Sequence, residues 1–469
     1  MDSESFRHWS RKAADWGVDY RETVQEKPVR AQVAPGDILA QLQPSPPEQP
    51  EPMEAIFRDF EAIVMPGMTH WQHPRFFAYF PSNAAPASVV ADYLTTAMAP
   101  QCMLWQTSPA ATELETRMID WLRQAVGLPE GFSGVLQDSA SSATLVAVLT
   151  MREKALAWAG NKAGLAGQPR LRIYASDQVH TSIDRAIWVA GIGADNLVRI
   201  ETEGKLRGMK PAALEAAIKV DKAAGYLPAG IIACVGGTSV GATDDIAAVC
   251  EIAHRHGLYV HVDAAWAGTA MICPEYRHYW AGAEAADSIV FNPHKWLGAQ
   301  FDCSAHFIRN PDEVVQTLAI RPEYLKTHGK TGLINYSEWS VPLGRRFRAL
   351  KVWFLLREQG LEGLRTMIRN HVALAEHLAG RMEETEGFEI VTQPMLSLFS
   401  FRHLPPDGGD VDTHTRALVD RINDDARIYV TQTLVDGRLA VRIQVGQWDT
   451  ALADVDMAFD VISELANRG

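Results

Sequence analysis

The spacing of apolar and polar positions changes repeatedly along this chain, and the changes mark out its elements. Ile231-Ile232-Ala233-Cys234-Val235 is a continuous apolar run, the pattern of a strand buried on both faces of a parallel sheet. Ile246, Val249 and Ala253 then recur at helical spacing between Asp244 and His256, and Gly257 supplies the stop. Leu258-Tyr259-Val260-His261-Val262 is the next strand. These three pieces make one βαβ unit, whose crossover should be right-handed. Further strands are expected at Leu171–Ala175, Ser288–Phe291 and Cys303–Ile308. Helices are expected from Ser108 to near Gly127 and over the apolar run Thr144 to Met151. A long helix is expected to open at Gly344-Arg345-Arg346-Phe347-Arg348.

The two ends of the chain follow other patterns. Residues 1 to about 24 read as a helix with Ser3 or Ser5 as cap, and with Phe6, Trp9, Ala13 and Trp16 on one face. Two tryptophans on so short a helix call for a partner surface. Pro44 to Pro52 is an extended linker, and a helix follows from about Glu54 to Val64. Beyond Gly360 the order becomes helix, strand, strand, helix, strand, helix, with strands at Phe388–Val391, Leu396–Phe401 and Arg438–Val445. That order suits a small α+β domain with an antiparallel sheet. The resulting division is 1–84, a helical segment; 85–360, a large α/β domain; and 361–469, a small α+β domain.

Composition narrows the function classes. A formal net charge of −13 over 469 residues argues against a nucleic-acid surface. No apolar run approaches the ~18 residues that span a bilayer. The acidic start Met1-Asp2-Ser3-Glu4 lacks the basic and apolar regions of a signal peptide. Five scattered cysteines without CxxC spacing fit reduced thiols in a cytoplasm. His70 and His73 have HxxH spacing, but Pro74 cuts any helix there and no third ligand is evident, so no metal site is expected.

The candidate chemistry sits at strand ends. Pro293 ends the strand at Phe291, so Lys295 falls where a strand gives way to a loop. The carboxyl ends of strands are where open α/β sheets bind ligands. Lys295 is either a solvated surface cation or a desolvated amine able to attack a carbonyl as a Schiff-base nucleophile. Asp263 falls at the end of another strand, followed by Ala264-Ala265-Trp266. A Schiff-base lysine plus a carboxylate that can pair with a pyridinium nitrogen is the protein's side of pyridoxal-phosphate chemistry. Asp138-Ser139-Ala140-Ser141-Ser142 opens a helix, and its free N–H groups suit a phosphate or simply reflect a serine cap. His180 lies past the strand 171–175.

Four stretches are specific: HVDAAWAG at 261–268, FNPHKWL at 291–297, FDCSA at 301–305 and PLGRRFRALK at 342–351. On them the chain resembles the aromatic L-amino-acid decarboxylases, the group II pyridoxal-phosphate decarboxylases, from His70-Trp71 to about Arg442. The resemblance implies fold type I, with a mostly parallel central sheet flanked by helices, and pyridoxal 5'-phosphate on Lys295. It implies Asp263 at the ring nitrogen, His180 stacked on the ring, and Ala140, Ser141, Thr238, Ala265, Asn292, His294 and Gly344 about the cofactor. Ser142 departs from the pattern, since many members carry glutamate there. The implied substrate contacts are Trp71, Tyr79, Phe80, Pro81, Ser82, Gln101, Met103, His180 and Gly344. Trp266, where many relatives have tyrosine, could narrow that pocket. Tyr324, in the polar stretch Ile320 to Asn335 that looks like a mobile active-site loop, matches the family's proton donor. Members with tyrosine there decarboxylate, and members with phenylalanine tend to form aldehydes. The family assembles as homodimers in which the segment matching Gln101-Cys102-Met103 reaches the neighbour's pocket. In plant relatives glycine at the position of Gly344 accompanies indole substrates. The expected reaction is therefore decarboxylation of an aromatic L-amino acid, with tryptophan or 5-hydroxytryptophan favoured and an aldehyde-forming synthase as the alternative.

Two rival motifs give way on spacing. Gly237-Thr238-Ser239-Val240-Gly241 is a literal G-x-S-x-G. However, the following helix starts only near Thr243-Asp244, and a serine hydrolase would give Lys295 and Ser141 no task. Gly329-Lys330-Thr331 resembles a P-loop tail, but the required upstream glycine is Tyr324.

Overall fold

The computed structural model describes residues 1–320 and 333–468. Tyr324, Gly329-Lys330-Thr331 and most of the stretch 320–335 lie outside the described residues. The chain divides into two compact units, Ser82–Asn370 and a second made of Met1–Pro81 with His371–Gly469. The sequence reading treats the two ends of the chain as separate pieces. Here they share one unit.

The unit Ser82–Asn370 is built on a seven-stranded sheet. Its strands are β1 (Ser133–Gln137), β2 (Leu171–Ser176), β3 (Leu197–Ile200), β4 (Leu227–Cys234), β5 (Tyr259–Asp263), β6 (Ser288–Phe291) and β7 (Ser304–Ile308), in the spatial order β1-β7-β6-β5-β4-β2-β3. The pairs from β6 through β3 are parallel, whereas β7 runs antiparallel to both β6 and β1. The sheet is mostly parallel, as the apolar runs predict. Helices α1 (Pro86–Met98), α2 (Pro109–Val126), α3 (Ala140–Ala155), α4 (Ser182–Val189) and α5 (Ile246–His256) accompany it. Ala147, Val148 and Met151 of α3 and Ile183 and Ile187 of α4 pack with Ile173 and Ile232 of the sheet. The last long helix, α6 (Arg348–Glu383), breaks helical geometry at Gly360. It starts later than the motif beginning at Gly344 suggests, because Arg345 is committed elsewhere, as described below.

Register explains where the site lies. Cys234 pairs with Asp263, and Asp263 pairs with Val290. Three parallel strands therefore end side by side, and the chain leaving each one enters the same space. Every residue of β5 and β6 is buried, and a one-residue slip would exchange the face that carries His261 and Asp263 with the one that carries Val260 and Val262.

The second unit holds a four-stranded antiparallel sheet, with strands Phe388–Met395, Leu398–His403, Arg438–Gln444 and Thr431–Val435 in that order. Phe77, Leu378, Phe401, Ile422, Val441 and Ile462 are among its core residues. The strand Thr431–Val435 has no counterpart in the sequence reading. It is an edge strand of alternating exposure, and such strands carry a weak apolar signal. The N-terminal helix spans Ser3–Thr23 and is capped by Asp2, whose carboxylate accepts the Ser5 N–H at 2.8 Å, not by Ser3 or Ser5. Its Trp9 and Trp16 rest on Phe57 and Phe60, with ring centroids 5.7 and 5.0 Å apart. Part of the partner surface that these tryptophans require is thus local. Among the described residues, no helix is long and apolar enough to cross a membrane.

Candidate active site

A cavity of about 230 Å³ opens at the aligned strand ends. It is lined by Ser139, Ala140, Ser141, His180, Ser182, Cys234, Gly236, Gly237, Thr238, Asp263, Ala265, Trp266, Asn292, His294 and Lys295. Ten residues singled out in the sequence thus meet in one place, although they come from five separate stretches of chain.

Lys295 lies in a single wide turn, Pro293–Leu297, which follows β6 and is closed by Gly298 in the left-handed region (φ 104°). Where the sequence suggested only a loop, this turn is ordered by its own backbone. The Lys295 N–H donates to the Asn292 carbonyl at 2.9 Å, and the Asn292 N–H to the Ala265 carbonyl at 2.7 Å. The Asn292 Oδ1 accepts from Ser304 at 2.6 Å, which leaves its Nδ2 donors for the cavity it lines.

Asp263 ends β5 and is only 7% exposed. One carboxylate oxygen accepts the Ala265 N–H at 3.0 Å. Burial pushes this carboxyl up from its ordinary value, while Lys295, the Ala265 N–H and His180 pull it down. A carboxylate in such a place requires a cationic partner.

Both histidines of the cavity are held in one tautomer. The His294 Nδ1 accepts the Cys303 N–H at 2.9 Å, and the His180 Nδ1 accepts the Ser182 N–H at 3.1 Å. A nitrogen that accepts a backbone N–H cannot carry a proton, so Nε2 of each ring bears it and is a donor. Burial, reinforced by the Lys295 charge, lowers His294 to about 3. His180 is lowered by desolvation, against the pull of Asp263.

At the opposite wall, Ser139 caps α3 by accepting the Ser142 N–H at 3.2 Å. The Ala140 and Ser141 N–H groups in the first turn have no intrahelical acceptor. The cap reading and the anion-site reading of this stretch are therefore compatible.

The turn after β4 carries Thr238 into the cavity. Gly236 stands at φ 76°, and a Cβ there would come within 2.5 Å of the Ala267 Cβ and 2.9 Å of the Trp266 Nε1. The Trp266 Nε1 donates to the Gly236 carbonyl at 2.6 Å. Trp266 is 1% exposed and packs on Trp296, with centroids 5.2 Å apart. Its indole thus braces the turn. Behind it, Asp244 accepts the Cys234 and Met209 N–H groups at 2.7 and 2.6 Å, and burial raises it to about 6. Sequence reading missed Asp244 and the bracing by Trp266. The doublet Gly236-Gly237 was the available signal of a close approach.

The remaining candidates lie elsewhere. Gln101, Met103 and Gly344 do not line this cavity. Gln101 and Gly344 are neighbours, since a Cβ on Gly344 would stand 3.3 Å from the Gln101 Nε2. Ser82 opens the same unit. Trp71, Tyr79, Phe80 and Pro81 belong to the other unit. There Trp71 stacks on Tyr79 at 5.8 Å, and the Tyr79 carbonyl accepts from Arg442 at 2.6 Å. Ser239 sits in an exposed turn outside the cavity, with the next helix starting only at Ile246. The nucleophile-elbow reading therefore fails. His70 pairs with Tyr20 at 2.9 Å, the His73 Nδ1 accepts the Arg75 N–H at 3.0 Å, and no metal-binding cluster occurs among the described residues.

Pyridoxal phosphate suits this donor set. An amine for its aldehyde, a buried carboxylate for its ring nitrogen, and a helix start with polar side chains for its phosphate all face one cavity.

Comparison with known proteins agrees. Residues 35–404 match the pyridoxal-dependent decarboxylase conserved domain. The chain is 37% identical to a phenylacetaldehyde synthase of Arabidopsis thaliana, over 100% of this chain and 97% of that protein. It is 38% identical to an aromatic-L-amino-acid decarboxylase of Bos taurus, over 99% and 97%. A crystal structure of Oryza sativa TDC with PLP and tryptamine superposes with a TM-score of 0.96 at 36% identity, covering 100% of this chain and 99% of that one. This chain belongs to the group II pyridoxal-phosphate-dependent decarboxylases: it is a carboxy-lyase with pyridoxal 5'-phosphate as its cofactor.

Proposed function

We propose that the chain decarboxylates an aromatic L-amino acid, an indole one by preference, and releases the arylethylamine. The buried Asp263 and Lys295 in one cavity with His180 and His294 carry the cofactor part of the reading, and the aromatic-amino-acid decarboxylase among the relatives supports the substrate class. Lys295 would hold the cofactor through its amine, Asp263 at the ring nitrogen, His180 at the ring face. Ala140, Ser141, Thr238, Asn292 and His294 would hold its edge and phosphate. When bound, the cofactor supplies an electron sink for the bond broken at the amino acid's Cα. Asp263, as carboxylate, keeps a proton at the ring nitrogen. The fixed Nε2–H groups of His180 and His294 would donate to anionic oxygens, and burial lowers both rings from their ordinary value, His294 to about 3. Which Cα bond is cleaved follows from how the substrate is oriented, and Tyr324 is assigned the proton returned to Cα.

The aldehyde-forming alternative has one specific support, the phenylacetaldehyde synthase among the relatives. Product analysis separates the two. The parent should yield amine and carbon dioxide in equal amounts, and Tyr324→Phe should consume dioxygen and water and raise aldehyde, ammonia and hydrogen peroxide. Amine formation by that variant at the parent rate would remove Tyr324 from its assigned role.

We also propose a homodimer. Helix α1 exposes Val89, Val90, Tyr93, Leu94 and Met98, each 40–57% accessible, an apolar helix face of the kind that marks interaction sites. The helix leads directly into Gln101-Cys102-Met103. A second copy seated on α1 would thus lie beside the Gln101–Gly344 surface, which supports the reading that these residues serve the partner's substrate pocket.

A further inference from the structure

A buried polar cluster lies beneath the first turns of α3, and none of its members lines the cavity. His261, in the middle of β5, is wholly buried. Its Nε2 meets the Thr144 hydroxyl of α3 at 3.3 Å, and its Nδ1 meets the Ser288 hydroxyl of β6 at 2.8 Å. Burial lowers this ring to about 3, so it is neutral at ordinary pH. A neutral imidazole carries one N–H, so the ring donates one of these bonds and accepts the other. His306 of β7, also buried, stands edge-on to the ring, with centroids 5.8 Å apart. Neither nitrogen of His306 meets a hydrogen-bond partner among the described residues, so it does not compete for either hydroxyl.

Three elements of the site meet at this one ring. Alternate side chains of a strand share a face, so His261 projects to the same side of β5 as Asp263. Thr144 lies one helical turn past Ala140, at the end of α3 where the Ala140 and Ser141 N–H groups are free. Ser288 opens β6, the strand that leads to Asn292 and Lys295. At the same end of α3, Ala140 and Ala143 pack with Val290 and Ala265, small apolar contacts that carry no direction. The bond from Thr144 to His261 adds a fixed distance and angle.

We infer that His261 is a positioning residue for the cofactor: through Thr144 it fixes the start of α3 at one spacing from Asp263, and through Ser288 it ties the strand of Lys295 to the same ring. The inference rests on the reading above that Asp263 meets the cofactor's ring nitrogen and the Ala140–Ser141 turn its phosphate. A ligand held at two points binds best when their spacing is set in advance. Loss of the Thr144 bond is therefore felt by a ligand that uses both points and not by one that uses only the ring end.

The test is titration of the apoenzyme with pyridoxal 5'-phosphate and with pyridoxal, which lacks the phosphate, following the visible Schiff-base band. Thr144→Val removes the hydroxyl and keeps the side-chain volume. It should raise the dissociation constant for pyridoxal phosphate roughly tenfold and that for pyridoxal by less than about twofold. Thr144→Ser keeps the hydroxyl and should stay close to the parent for both ligands. His261→Leu should show the same selective loss, and the double variant should lose no more than His261→Leu alone, since both changes remove one bond. Equal losses for the two ligands, an unchanged affinity for pyridoxal phosphate in Thr144→Val, or additive losses in the double variant would overturn the inference alone. A parent that binds pyridoxal as tightly as its phosphate would overturn the underlying reading as well.

Discussion

Replacing Trp266 by phenylalanine tests whether this indole braces the cofactor turn or merely fills space. The substitution keeps an aromatic ring against Trp296 but deletes the Nε1–H that meets the Gly236 carbonyl at 2.6 Å. That carbonyl is buried, and leaving it unsatisfied costs about 1–3 kcal/mol. The smaller ring leaves a cavity worth roughly another 1 kcal/mol at ~24 cal/mol per Å³. Part of the loss falls on apo stability. The share that concerns us appears on loading, because the same turn delivers Thr238 to the cavity. If about 1.4–2.7 kcal/mol is lost from the bound state, the cofactor dissociation constant rises ten- to a hundredfold. The assay is titration of the apoenzyme with pyridoxal phosphate, paired with melting of apo and holo forms, since the ligand-induced shift reports the same quantity. A variant whose apo form melts lower while its cofactor affinity stays within twofold of the parent would show that Trp266 only fills the core.

Three other outcomes are expected. Burial holds His261 and His294 each at about 3, below the ordinary value near 6.5. As pH falls through 6.5 the unfolded chain takes up protons that the native state refuses, and stability is lost. By pH 5 the two rings cost about 4 kcal/mol, and Asp244, raised to about 6, returns about 1. Melting temperature should therefore fall from pH 7 to pH 5, and a flat or rising profile would contradict the buried neutral rings. Charging the apolar face of α1 with Val90→Glu and Leu94→Glu together should yield monomers of low activity by sedimentation and turnover. A fully active monomer would refute the shared-site assembly. Gly344→Ser places its Cβ 3.3 Å from the Gln101 Nε2, so it should cost bicyclic substrates more than phenolic ones, by about 1–3 kcal/mol in relative kcat/KM. Equal losses would mean that Gly344 does not read ring size.

What the sequence made legible was local. Asp263 and Lys295 could be placed at strand ends because β5 and β6 are mostly apolar runs with sharp stops. Ser139 to Ser142 could be placed at a helix start because hydroxyl residues precede an apolar run. Relations across the chain were not legible in this way. The direction of β7 depends on its pairing partners, and one strand's pattern carries no orientation. The start of α6 was read too early because nothing near Arg345 announces that Glu115, far upstream, will claim its guanidinium. Trp266 was taken for a possible pocket wall because an indole next to a catalytic carboxylate looks the same whether it faces inward or outward. It does line the cavity, and its Nε1 bond to the Gly236 carbonyl adds a bracing role that the sequence does not announce. The aromatic N-terminal helix was assigned wholly to a partner, whereas Phe57 and Phe60 cover part of it, a contact that the intervening proline-rich linker conceals.

The central claim is that Lys295 carries the cofactor and Asp263 answers it. The most direct measurement is borohydride reduction of the holoenzyme, followed by peptide mapping and by the visible spectrum before and after. The account predicts a visible band that reduction bleaches, a pyridoxyl mass on Lys295, and no turnover by Lys295→Ala. A label on another lysine, or full turnover by Lys295→Ala, would contradict it.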